Sequence, residues 1–181
     1  MKIIKNGLNN CCYRITKYDP KYRNSVGFFL NDDWTSISDI GKTFDNKILT
    51  FKDYLKSEDT YIETIMLFME SLSLNFLVVT SLEKFEDEIR KSEFCSQSIV
   101  EIYKQLHSNQ EVNREQVRNI ARLVLRELLW CKLESYSMFV HFGYDYYMYI
   151  GSTEAPPSSL LEKINKLGLF IENFESPYLD E

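Results

Sequence analysis

The chain has 181 residues and a mass of 21.5 kDa, enough to bury one substantial core. With 44% hydrophobic and 27% charged residues it is not a wholly disordered chain, and no segment approaches the ~18 apolar residues of a membrane span. Net charge is −6, yet residues 1–31 carry +5 and the rest −11, a balance that disfavours nonspecific binding to nucleic acid or anionic membrane and favours a basic partner.

The four cysteines, Cys11, Cys12, Cys95 and Cys131, form no Cys-x-x-Cys pair and no disulfide framework. Residues 1–7 lack the continuous apolar stretch of a signal peptide. Together these features predict a cytoplasmic protein in a reducing compartment.

Taken in order, residues 10–18 read as a strand, with Tyr13 and Ile15 on one face and Arg14 and Thr16 on the other. Asp19-Pro20-Lys21-Tyr22-Arg23-Asn24 supplies turn chemistry, and Val26 to Leu30 reads as a second strand. Ser36 and Asp39 have capping-box spacing, with Gly41 to end a short turn. Thr50 caps a first long helix with Asp53 at its third position. An apolar stripe runs from Phe51 to Leu72, opposite an acidic face of Glu58, Asp59, Glu63 and Glu70. Residues 76–79 are a short buried strand, residues 83–93 a charged helix or loop, and residues 97–107 a second helix.

Asn113 with Gln116 opens what reads as the longest helix, its buried stripe running from Val117 through Leu128 to Cys131. Arg114, Arg118, Arg122 and Arg126 recur at four-residue steps on another face, and acidic neighbours point to a solvated face. The densest signal is Met138 to Ile150, two aromatic and β-branched runs around Gly143-Tyr144. A type II′ turn there would set Phe142 opposite Asp145, His141 opposite Tyr146 and Phe139 opposite Met148. Polar alternation is missing, so both faces of this hairpin should be covered. Ser158 is placed to cap a helix over 159–167 ended by Gly168, followed by a strand at 169–174 and an acidic tail at 175–181. The expected fold is one α+β domain over 1–181: an antiparallel-rich sheet of about five or six strands around the aromatic hairpin, packed by several helices.

Chemistry is sparse. The two histidines, His107 and His141, lack ligand spacing, the six glycines form no phosphate loop, and no nucleophile signature surrounds Cys131. No catalytic residue, metal or cofactor is expected.

Three stretches, Tyr18 to Asn24, Asp33 to Lys42 and His141 to Ile150, resemble the immunity proteins of bacterial contact-dependent growth inhibition, a likeness spanning about residues 10–173. That resemblance implies a cytoplasmic antidote that binds the C-terminal toxin domain delivered by a neighbouring cell, often a nuclease, and occludes its active site or substrate surface. It carries no catalytic residues and no transferable interface. Charge alone selects Asp32, Asp33, Glu83, Glu86, Asp87 and Glu88 as the partner-binding residues, with Tyr144 and Asp145 at the hairpin tip as second choice. The alternative is a nucleic-acid-binding module using the basic N-terminal strands and the Arg114–Arg126 row.

Overall fold

The computed structural model describes residues 11–91 and 95–179. Lys2 and Lys5 of the basic N-terminal stretch, Asn10, residues 92–94 and the last two residues of the tail lie outside the described residues. The fold is α+β. Seven strands form one antiparallel sheet: β1 (Cys11–Thr16), β4 (Phe76–Lys84), β5 (Glu111–Asn113), β6 (Leu129–Glu134), β7 (Met138–Phe142), β8 (Met148–Ser152) and β9 (Phe170–Asn173). Their order is β5-β4-β6-β7-β8-β1-β9, which puts the hairpin strand β7 in the middle. A two-stranded ribbon, β2 (Thr43–Phe44) with β3 (Lys47–Ile48), stands apart. The helices are α1 (Phe51–Ser71), α2 (Glu86–Lys91), α3 (Gln97–Gln105), α4 (Arg114–Leu125) and α5 (Ser158–Lys166).

Helix starts follow local chemistry. Thr50 and Asp53 form a reciprocal capping box at α1, Asn113 and Gln116 another at α4, and Ser36 and Asp39 a third on a short 3-10 turn at Ile37–Asp39. At α5 the cap is Pro157, with Ser158 already inside the helix and no side-chain cap bond. The longest helix is α1, at 21 residues against 12 for α4.

Alternation along the strands sorts side chains onto two faces. Ile15, Leu77, Val79, Leu129, Cys131, Leu133, Met138, Val140, Phe142, Met148 and Ile150 pack into the main core with residues of α1, α4 and α5. Phe139, Tyr149 and Cys12 point the other way and pack with Leu179, Tyr147 and Tyr178. Both faces of the hairpin are therefore covered, the second by residues 174–179. Residues 175–179 of the acidic tail belong to this cover. Ser176 and Leu179 are buried, and the Lys132 ammonium donates to the Tyr178 carbonyl at 2.6 Å.

Three further expectations are corrected. Val26 to Leu30 is a loop, because the Asn24 side chain accepts from Val26 N–H and Phe28 N–H and Gly27 adopts φ +92°. A lone bridge, Arg23 to Phe29, remains there. The α4 helix stops at Leu125, and Cys131 sits on β6, a strand that the helical reading overran. Glu127 stands in the left-handed region (φ 58°), with its N–H on the Val124 carbonyl and that of Leu128 on Leu123, the two bonds of a Schellman ending. The hairpin register also slips by three residues: Phe142 faces Met148, His141 faces Tyr149 and Phe139 faces Gly151. Its turn is Tyr144–Tyr147, closed by Tyr147 N–H on the Tyr144 carbonyl, with Asp145 and Tyr146 both at positive φ as in a type I′ turn. Tertiary packing sets this register. The Tyr146 ring is buried edge-on against Trp34 at 4.8 Å and Tyr61 at 5.4 Å, and the Tyr61 hydroxyl donates to the Tyr146 carbonyl.

The acidic face of α1 and the arginine row of α4 meet. Arg118 pairs with Glu63 at 3.2 Å and Arg122 with Asp59 at 3.0 Å, while Arg114 donates to the carbonyls of Leu74 and Met69. Arg126 grips Glu58 through two bonds of 2.6 and 2.8 Å, and both side chains are buried. The row runs along the seam between the helices, buried at Arg126 and still partly solvated at Arg118 and Arg122.

Two predictions follow from this packing. Gly151 lies under the Phe139 ring, and a Cβ added there would fall inside the ring's van der Waals envelope. Gly151→Ala is expected to destabilise by ~1–3 kcal/mol in urea unfolding, and Phe139→Leu in the same chain should recover part of that loss. Glu58→Gln would strand the buried Arg126 charge at ~3–5 kcal/mol. The double change Glu58→Leu with Arg126→Met should return most of it, whereas an equal loss in the double variant would contradict the pairing.

Candidate functional site

A cleft of about 640 Å³ lies at one end of the sheet, where the C-terminus of α4, the bulge of β4 and the β7–β8 turn converge. Pairing of β4 with β6 shifts register between Thr80 and Glu83, with Ser81 at φ 50°. That bulge re-aims the strand and sets Glu83 opposite Trp130, so both line the cleft. The Schellman ending of α4 delivers Glu127, and the type I′ turn delivers Tyr144 and Asp145. Phe85 and Tyr178 complete an aromatic wall, and Trp130 is held in place by its indole N–H on the Phe142 carbonyl at 2.9 Å.

Charge in the cleft has one sign. Among the described residues no lysine or arginine pairs with Glu83, Glu127 or Asp145, and Glu127 has as partner the Ser36 hydroxyl, which donates at 3.1 Å. Although the Glu127 side chain is open to solvent overall, the cleft walls partly bury its carboxyl. That burial raises its pKa above the ordinary carboxylate value, and the negative charges of Asp39, Asp145 and Glu88 add to the rise.

The structure divides the six residues selected by charge. Glu83 lines the cleft together with the second-choice pair Tyr144 and Asp145. Glu86, Asp87 and Glu88 form the exposed first turn of α2, directly after Phe85. Asp32 and Asp33 belong elsewhere, in a separate hollow with Asp45, Lys47 and Asp53. Asp33 is moreover engaged internally, its carboxylate 2.7 Å from the Lys17 ammonium. Glu127, Trp130 and Tyr178 are members of the cleft that no sequence motif marks.

No protein-family model, curated protein or solved structure matches this chain.

Cys131 and His141 project from opposite faces of the sheet, and burial pushes the Cys131 thiol well above its ordinary pKa, which suppresses the thiolate. On the second face Ser176, His141 and Glu134 stand in line, with His141 Nδ1 2.8 Å from Ser176 Oγ and Nε2 3.3 Å from Glu134 Oε1. The set is sealed: His141 is fully buried, stacked on Phe139 at 4.3 Å, and the Ser176 hydroxyl also accepts from Tyr178 N–H. Its effect is to pin the C-terminal cover. Among the described residues no group of three or more His, Cys, Asp or Glu side chains could hold a metal ion.

The described basic residues of the N-terminal part are likewise engaged. Arg14 and Arg23 converge on Glu172, and although burial opposes its charge, their hydrogen bonds outweigh that and hold its pKa below the ordinary value. The Lys17 ammonium lies over the rings of Trp34 and Tyr18 at 4.1 and 4.2 Å. Its approach to Asp33 is a close ionic contact without hydrogen-bond geometry.

Burial lowers the Lys17 pKa to about 8, with Asp33 opposing the shift. Between that value and the unfolded pKa of about 10.5 the unfolded chain holds a proton that the folded chain has released, so stability should rise with pH across this window. Lys17→Met should therefore gain stability relative to the wild type at pH 7, and the gain should shrink towards pH 10 in denaturant titrations. A pH-independent difference would count against the shifted lysine.

Proposed function

We propose that this protein is an immunity protein that binds a delivered toxin domain with a basic substrate surface, in keeping with a nuclease, and neutralises it by covering that surface. The observation that carries this reading is the cleft, lined by three acidic residues from distant parts of the chain beside aromatic side chains, with no lysine or arginine paired to them among the described residues. An unbalanced acidic surface around aromatic anchors suits a basic protein partner, since it steers association and supplies contacts that become desolvated. The resemblance of the 18–24, 33–42 and 141–150 stretches to contact-dependent growth inhibition immunity proteins supports the same role and implies a cytoplasmic antidote.

A nucleic-acid-binding role for the N-terminal strands and the Arg114–Arg126 row is the other reading. The engagement of Arg14, Arg23, Arg118, Arg122 and Arg126 within the fold weighs against it, because few of those charges are left to meet phosphate.

Co-expression with the toxin domain encoded immediately upstream tests the proposal. The expected outcome is a complex that co-purifies and restores growth. The triple change Glu86→Lys, Asp87→Lys, Glu88→Lys should weaken that complex by ~tenfold or more through reversed charge at the rim. Absence of both complex and rescue would overturn the antidote reading for that pair.

A further inference from the structure

The cleft has a chemistry narrower than general acidity. Trp130, Phe85 and Tyr178 line it together with the acidic residues Glu83, Glu127 and Asp145. We propose that this groove is a socket for one arginine side chain carried on a basic loop of a protein partner. The identity of that partner rests on the function proposed above; the chemistry of the socket rests on the groove itself.

Three features select the occupant. First, a planar guanidinium stacks on aromatic faces and forks to carboxylates, whereas a lysine ammonium is a more strongly hydrated point charge. Second, two of the carboxylates stand on turns of set backbone geometry: Glu127 follows the helix ending and takes the Ser36 hydroxyl on one oxygen, and Asp145 belongs to the type I′ turn. The backbone that carries them is thus already shaped before a partner arrives, which lowers the ordering cost of a specific contact. Third, Glu127 sits under the repulsion of Asp145, Glu88 and Asp39, and an incoming cation relieves it. Phosphate-bearing partners meet the same carboxylates as repulsion. Beside the groove Tyr144 is 85% exposed, and α2 extends the acidic surface, so the surroundings suit a loop rather than a free amino acid.

The test uses an octa-arginine peptide as probe and tryptophan emission as readout. The chain has two tryptophans, Trp34 buried in the core and Trp130 at the cleft. Titration at low salt should give a saturable change in emission that Trp130→Phe removes. The pair Glu127→Gln with Asp145→Asn should weaken binding by ~tenfold, and asparagine suits the left-handed backbone at position 145. Neutralising the exposed Glu111 and Glu115 as a charge-matched control should change affinity by no more than about twofold.

Equal losses in the cleft and control pairs, or a signal that survives Trp130→Phe, would overturn the socket. So would the absence of any binding by the wild type. The toxin experiment reads separately. Peptide capture in the cleft without toxin rescue overturns the antidote role alone, and toxin rescue without capture in the cleft overturns the socket alone.

Discussion

Burying β7 and β8 on both faces obliges the chain to provide two covers, and the rest of the architecture answers that constraint. The first cover is the helical layer, whose apolar stripes meet Val140, Phe142, Met148 and Ile150. The second is assembled from the C-terminal segment, which lays Leu179 and Tyr178 over Phe139 and Tyr149. Hydrophobic contact alone would leave polar groups stranded on that side, since β6 and β7 also bring Lys132, Glu134 and His141 to it. They are buried with partners: Lys132 on the Tyr178 carbonyl, Glu134 on Thr80 and His141, and His141 on Ser176. The polar set thus fixes where the cover lies, while the apolar set supplies the driving force.

The cleft forms where these covers give out. At the Leu129–Trp130 start of β6 the α4 ending, the β4 bulge and the hairpin turn face one another, with Tyr178 of the C-terminal cover at their side. Four non-glycine residues around this space, Ser81, Glu127, Asp145 and Tyr146, hold left-handed backbone, a conformation that L residues adopt at some cost. The Glu58–Arg126 pair lies just behind it and clamps the end of α4 to α1. A rigid frame therefore stands behind a surface of unbalanced charge.

How much of this was legible in the sequence depends on whether the signal was local. Thr50 with Asp53 and Asn113 with Gln116 announce helix starts through contacts three residues apart, and both starts are where the pattern puts them. The end of α4 carries no such mark, because Glu127 occupies a position usually held by glycine; the helical reading ran on and β6 went unseen. At the hairpin, Gly143 suggested one turn, yet Tyr146 reaches Trp34, Tyr54 and Tyr61, residues 85 to 112 positions away in the chain, and their packing overrides the local preference. The site shows the same division. Acidity near residues 83–88 and an aromatic–acid pair at the hairpin tip were readable. Their meeting with Glu127 and Trp130 depends on sheet order, and the engagement of Asp33 by Lys17 on a tertiary contact.

Strand β1 sits between β8 and β9, paired with residues 148–152 on one side and 170–173 on the other. It leaves the ribosome first among the sheet strands and then waits for both neighbours. At ~5–20 residues per second the wait is on the order of ten seconds, during which Ile15 and Tyr13 have no strand beside them. The sheet is therefore closed late, by a long-range step that slows folding. Its two halves mature unequally, with β4, β5, β6 and β7 free to pair during synthesis while the β8-β1-β9 half forms after nearly all of the sheet has been made.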